Sequence, residues 1–284
     1  MTITDFEESI SNFEQFALDE KKLAKGTINN QKSITRSYLS HCGCQINHDS
    51  VKSYLSSNDD EDWKSNQLKA LRRYIRDFLK LGNWITEFKF SKTKAKVKKE
   101  DIPTDEQLAY FCSLLPYPVQ MIFLILLTSG LRVGEVLKLQ KSDINFETNM
   151  IDASNIHKGE TKSSWLSFIT KQTKDYLQSY IETEIFETDN PKLFDISYNK
   201  VQESFQNMSY QTGIFIKPHL LRTIFSEKCS EAGIDGKYID AFCGRTPKRV
   251  LDANYTIYSP KSLREQYDNV EDFLTLPFAE DEEN

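Results

Sequence analysis

The chain has 284 residues, 36 of them Lys or Arg and 42 Asp or Glu, for a formal net charge of −6. That length allows two domains with a core each; no apolar run approaches the roughly 20 residues of a membrane span, and the acidic, polar Met1–Ile10 does not read as a signal peptide. Five cysteines, an odd number and mostly dispersed, argue against a disulfide framework and for reduced thiols in a cytoplasmic setting.

Apolar spacing predicts a first helix over Phe6–Leu18, with Phe6, Ile10, Phe13 and Phe16 or Ala17 on one face. A second follows over Thr27–His41 (Ile28, Ile34, Tyr38, Leu39) and a short third over Ser50–Leu55. Between them, His41, Cys42, Cys44 and His48 offer four ligating side chains, but the spacing is not the paired one of a structural zinc site, and no metal is expected. Asp60–Leu81 is the strongest pattern. Trp63, Leu68, Leu71, Tyr74, Ile75, Phe78 and Leu79 lie on one side, with Lys69, Arg72, Arg73 and Arg76 largely opposite. Such a helix packs inward and meets phosphates outward.

Charge is unevenly spread. Lys64–Lys99 holds twelve basic residues against Asp77 and Glu87, a local +10 that leaves −16 for the rest. Within it Lys92, Lys94, Lys96, Lys98 and Lys99 alternate with Thr, Ala and Val without apolar periodicity, which predicts an extended basic linker over 89–102. Beyond it Thr104 caps a helix that starts at Asp105-Glu106, followed by helices over Tyr117–Ser129 and Gly134–Leu139. Ile144–Ile156 and Lys162–Ile169 are β-leaning, with turn signals at Thr148-Asn149 and Lys158-Gly159-Glu160, and predict two or three antiparallel strands. Helical patterns resume at Lys171–Phe186, Tyr198–Met208, Leu220–Ala232, Gly236–Cys243 and Pro260–Leu274. In the last, Leu263, Tyr267, Val270, Phe273 and Leu274 are available to pack, ahead of an acidic tail over 277–284. The fold class is mainly α with a small antiparallel β-sheet (α+β).

Three segments carry chemistry. In Leu126–Leu139 an apolar helix stops at Ser129-Gly130 and restarts, with Arg132 at the break, a place to hold a cation rigidly against a phosphate. Downstream come Pro218-His219-Leu220-Leu221-Arg222 and Gly244-Arg245 followed by Asn254-Tyr255. Arg, then His-x-x-Arg, then Gly-Arg and Tyr, in that order, resembles the tyrosine recombinase (phage integrase) family, nearest in look to Xer-type recombinases and archaeal virus and plasmid integrases. The resemblance covers Pro103–Tyr267 by motif; the four N-terminal helices resemble the family's core-binding domain in layout only.

The resemblance implies a helical DNA-binding domain over 1–88, a catalytic domain over 103–276, a clamp of the two around double-stranded DNA at a specific site, and a tetramer on that DNA. It implies strand exchange through a 3′-phosphotyrosyl intermediate with neither cofactor nor membrane, in a cytoplasmic protein associated with the nucleoid. A decayed DNA-binding relative and a type IB topoisomerase-like enzyme are the alternatives. The basic residues Lys69, Arg72, Arg73, Arg76, Lys92, Lys94, Lys96, Lys98 and Lys99 then become candidate DNA contacts.

Elementary chemistry fits those roles. Metal-free strand cleavage needs a nucleophile that is also a tolerable leaving group, cations for the phosphorane-like charge and an acid for the departing 5′-oxygen. A phenol suits the first role and bidentate guanidiniums the second. Arg132 and Arg222 are placed on the non-bridging oxygens, and His219, three residues before Arg222, bonds the phosphate or handles a proton. Glu135 stands where the family carries a supporting acidic residue, which by resemblance orients Arg132 or the histidine; a solvated helix glutamate is the alternative. By resemblance Lys158 matches the general-acid lysine, with Lys162 its competitor. Arg245 stands where the family usually has His; it can donate to phosphate but cannot accept a proton. Tyr255 follows Arg245 by ten residues, one more than in Xer-type members, and is favoured as nucleophile over Tyr258.

Overall fold

The computed structural model describes residues 2–3, 5–89, 102–156, 165–184, 191–245 and 258–278. The chain divides into two compact units, Met1–Lys98 and Lys99–Asn284. Among the described residues no helix is long and apolar enough to cross a membrane.

The first unit is built from α1 (Phe6–Asp19), α2 (Lys25–His41), α3 (His48–Leu55) and α4 (Glu61–Leu71). Local chemistry starts each of three of them. The Asp5 carboxylate caps α1 at the Glu8 amide, Asn47 and Ser50 form a reciprocal capping box on α3, and Asp60 accepts from the amides of Asp62 and Trp63. Phe13, Tyr38, Leu39, Val51, Leu71, Tyr74, Ile75 and Ile85 are fully buried between them. Three core tyrosines find partners for their hydroxyls, as buried phenols must: Tyr38 with Ser50 Oγ at 2.7 Å, Tyr54 with Gln67 Oε1 at 2.9 Å and Tyr74 with Ser9 Oγ at 2.6 Å.

The pattern over Asp60–Leu81 predicts one uniform helix. The structure instead widens α4 into a π-helical stretch, Arg72–Phe78, where the Leu79 amide reaches back five residues to Tyr74 O at 2.9 Å. A short 3₁₀ turn, Trp84–Glu87, closes the unit. The four side chains of the His/Cys cluster have other occupations. Cys42 and Cys44 pack against the core, His41 Nε2 lies 3.0 Å from Ser53 Oγ, and the His48 ring stacks on Phe88. Among the described residues no group of three or more His, Cys, Asp or Glu is placed to hold a metal.

The second unit is centred on α6 (Tyr117–Ser129), in which every residue from Met121 to Ser129 is buried. A helix apolar all round belongs at the middle of a core, and α5 (Asp105–Ser113), α8 (Lys171–Glu184) and α10 (Pro218–Glu231) pack around it. Thr104 and Gln107 form the capping box that begins α5. After the one-turn helix α7 (Val133–Val136) come β1 (Ile144–Asn145), β2 (Met150–Asp152) and β3 (Leu166–Phe168), one antiparallel sheet in that order. The register sets Ile144 opposite Ile151, and Ile151 opposite Ser167. Among the described residues the other α-helices are α9 (Tyr198–Thr212), α11 (Gly236–Phe242), α12 (Pro260–Asp268) and α13 (Glu271–Leu274).

The C-terminal pattern breaks into two helices at Asn269-Val270 instead of running on to Leu274. Leu263, Tyr267, Val270 and Leu274 are completely buried in their own unit, whereas Phe273 is exposed. The break has a visible anchor. Arg264 bonds both Asp268 and Glu271 at 2.6 Å and lies over the rings of Phe168 and Tyr267, while Glu271 also accepts from the Lys171 amide at 2.6 Å. Residues 279–284 of the acidic tail and 90–101 of the linker lie outside the described residues.

Candidate active site

The site begins where α6 ends. A helix C-terminus leaves carbonyls without partners inside the helix, and here the last three carbonyls through the cap are met from far away in the chain. Tyr267 Oη donates to Thr128 O at 2.7 Å, Ser167 Oγ to Ser129 O at 2.6 Å, and Arg222 Nη1 to Gly130 O at 2.6 Å. Gly130 turns the chain with φ +66°, and a Cβ there would stand 2.5 Å from the Phe225 ring, so glycine alone fits between α6 and α10.

Two residues later Arg132 caps α7. Its amide donates to Glu135 Oε2 at 2.7 Å and its Nη1 to Oε1 at 2.6 Å, so one carboxylate fixes both the backbone and the guanidinium of the same residue. Glu135 is only 1 % exposed, which rules out the solvated helix glutamate that its position alone would allow. Arg132 Nη2 extends to Gly244 O at 3.5 Å.

Pro218 sits in the first turn of α10, where its missing amide costs nothing. His219 and Arg222, three residues apart, share one face of that helix. Arg222 is 3 % exposed, and besides Gly130 O it donates to Cys243 O. Burial pushes its pKa down, but a guanidinium stays charged throughout the accessible range. Cys243 and Gly244 end α11; Gly244 reverses the chain with φ +56°, and Arg245 follows. Arg132 and Arg222, on different helices, thus end on adjacent carbonyls beside a third arginine. Arg245 is exposed, with Nη1 3.7 Å from Asp240 Oδ1 and Nη2 3.5 Å from Ser226 Oγ.

His219 is exposed as a residue, yet the protein around its ring pulls its pKa below the ordinary histidine value. Desolvation is the larger cause, followed by the cations of Arg222, Arg245 and Arg132. All three guanidiniums therefore act on one imidazole. Against them stand Glu135, buried, and Asp240, partly exposed, so the cluster keeps a positive surplus for an anion.

Arg132, Glu135, His219, Arg222 and Arg245 are brought together. Lys158, Lys162 and Tyr255 lie outside the described residues, as do Lys92, Lys94, Lys96, Lys98 and Lys99. Tyr258 is a packing residue: its hydroxyl donates to Lys237 O at 3.3 Å, and its ring meets Trp165 and Tyr238 edge-on. In the first unit Lys69 is exposed and Arg73 half-buried, while Arg76 Nε bonds Asp77 at 2.7 Å. Arg72 departs from the expectation of an outward cation. Its guanidinium is turned to the carbonyls of Phe88 and Thr86, satisfying backbone groups of the closing 3₁₀ turn. Sequence reading passes over Ser226, Asp240, Ser167 and the Tyr267 hydroxyl. Ser226 had a signal, being four residues after Arg222 on the same helix face; the others depend on tertiary contact.

The sequence model of the phage integrase family matches residues 104–260, more than half of the chain, a stretch that includes Arg132, Glu135, His219, Arg222 and Arg245. The chain belongs to the phage integrase family. It is a tyrosine recombinase, an enzyme of the site-specific class. The tyrosine recombinase XerA of Saccharolobus solfataricus is 30% identical over 148 residues, a stretch that spans 52% of this recombinase and 48% of that protein. XerA of Thermococcus kodakarensis is 26% identical over 254 residues, covering 84% of this recombinase and 87% of the relative. In fold, this recombinase is similar to the Tn1549 transposon integrase in complex with circular intermediate DNA (TM-score 0.66, 16% identity, 92% of this chain and 98% of that one). It is also similar to a lambda integrase dimer bound to a COC′ core site (TM-score 0.67, 13% identity, 89% and 79%). At such identities the likeness is one of fold.

Proposed function

We propose that this recombinase cuts and rejoins double-stranded DNA at a specific site through a 3′-phosphotyrosyl linkage to Tyr255, with no cofactor, and that it does so as a tetramer on the DNA. The observation that carries the reading is the convergence of Arg132 and Arg222 on the adjacent carbonyls of Gly244 and Cys243, with Arg245 next in the chain.

In this reading the scissile phosphate sits on the guanidinium face. Arg132 and Arg222 hold its non-bridging oxygens, and Arg245 adds a donor at the rim. Cations fixed before the substrate arrives need no reorganisation as charge grows on the pentavalent phosphorus. Glu135 keeps Arg132 in place and takes no part in bond making. His219, neutral at physiological pH by virtue of its surroundings, accepts a hydrogen bond or a proton from the attacking phenol. Tyr255 Oη then bonds to phosphorus as the bond to the 5′-oxygen breaks. Lys158 gives that oxygen its proton, and the reverse sequence with a 5′-hydroxyl from a second strand restores the phosphodiester. The engagement of the Tyr258 hydroxyl by Lys237 O supports Tyr255 for this role.

The division of the chain between Lys98 and Lys99 supports a basic linker there, joining a helical DNA-binding domain to the catalytic one. Lys69, Arg73 and the linker lysines then bind the phosphates of the duplex backbone. A supercoil-relaxation assay tests the site-specific character. Plasmid lacking the recombination site should stay supercoiled under conditions where site-bearing DNA is cleaved. Efficient relaxation of the site-free plasmid would mean a topoisomerase-like enzyme instead.

A further inference from the structure

The turn that carries Arg132 is held in an unusual way. Many helix ends are closed by amides of the residues just beyond them. Here the Leu131 amide goes to Ser129 Oγ at 3.2 Å, and the carbonyls of Thr128, Ser129 and Gly130 are met by side chains 139, 38 and 92 residues away. Two of those partners, Tyr267 and Ser167, are fully buried hydroxyls with no other role in the reaction. A buried hydroxyl is costly unless bonded, and Ser167 stands mid-strand, opposite Ile151, where an apolar residue would serve the core alone.

We propose that Ser167 and Tyr267 are positioning residues for strand cleavage, fixing the Ser129–Arg132 turn so that the Arg132 guanidinium meets the phosphate together with Arg222. The inference rests on the phosphate-clamp reading above. It adds a coupling between parts of the site. Ser167 lies on the strand that follows residues 157–164, Tyr267 on the helix that follows residues 246–257, and Arg222 on α10 with His219. The elements next to the candidate acid, the candidate nucleophile and the histidine are all fastened to three consecutive carbonyls, two residues short of Arg132.

The test removes one oxygen at a time from the full chain, as Ser167→Ala and Tyr267→Phe, each in the wild-type and the Arg132→Lys background. The readout is the single-turnover rate constant on a nicked duplex chosen because the wild-type chain forms a covalent adduct with it. Misplacing a clamp by a fraction of an ångström up to about one costs on the order of 10- to 100-fold in rate, so each variant should slow cleavage by that factor in the wild-type background. In the Arg132→Lys background, where the clamp is already spoiled, the same change should cost less than about 3-fold, because residues acting through one another are not additive. Equal slowing in both backgrounds, a loss confined to the reacting amplitude and the melting temperature, or no slowing in either would each overturn the proposal. Should one variant fail to fold, the other carries the same comparison. If the wild-type chain forms an adduct with no duplex at all, it is the strand-cleavage reading that fails.

Discussion

Arg222 illustrates how one side chain serves two purposes. Nearly all of it is inside the protein, where an unpaired cation would be prohibitive, and it is made tolerable by donating to Gly130 O and Cys243 O. The same bonds aim the guanidinium, so stability and alignment come from one geometry. His219 is set by its neighbours in the opposite sense. Its depressed pKa means that the folded state binds its proton less readily than the unfolded chain does. Its contribution to stability is therefore complete above the unfolded pKa and is lost as pH falls through the folded one. NMR titration of the DNA-free protein should give a His219 midpoint below that of a histidine peptide, and Arg245→Gln should move it upward by removing one of the three cations. A wild-type midpoint at or above the peptide value would contradict this electrostatic picture.

At the level of elements, α6 and its ending decide the geometry. The sequence shows this plainly: an uninterrupted apolar run, then Ser129-Gly130, then Arg132. Gly130→Ala should destabilise the chain by about 2–4 kcal/mol in urea unfolding, since the left-handed backbone costs ~1–2 kcal/mol and the clash with Phe225 a comparable amount. A loss under ~1 kcal/mol would mean that α10 yields more easily than packing there implies. An unbroken apolar run between clear stop signals, such as Tyr117–Ser129 between Pro116 and Gly130, is legible to the residue. Elements altered by tertiary contact are less so. The π-helical widening after Leu71 and the break at Asn269-Val270 leave the apolar spacing intact, so periodicity cannot report them. The inward turn of Arg72 is invisible for the same reason, because its carbonyl partners belong to a 3₁₀ turn more than ten residues on. In the site, Arg132, His219 and Arg222 are readable because their spacing is local or motif-bound. The hydroxyls of Ser167 and Tyr267 are not, since nothing near them in the chain marks the carbonyls they meet.

For the molecule as a whole, net charge is a poor guide to its partner. An overall −6 conceals a basic stretch from Lys64 to Lys99, and concentrated cations release counterions from DNA whatever the rest of the chain carries. DNA affinity should therefore fall steeply with salt. Replacing Lys92, Lys94, Lys96, Lys98 and Lys99 by Gln should flatten the log–log salt slope by about 2–4, at nearly one for each phosphate left without its cation. An unchanged slope would mean that other cations bind the backbone. If the arginine cluster serves a tyrosine that attacks DNA, the protein must become covalently joined to its substrate, and trapping that species is decisive. The protein is incubated with a nicked duplex carrying its recombination site, denatured, digested and peptide-mapped. A 3′-phosphotyrosyl adduct on Tyr255, absent from Tyr255→Phe although that variant still binds the site, is the predicted result. An adduct on Tyr258 or persisting in Tyr255→Phe, or tight site-selective binding with no adduct in the wild type, would contradict it.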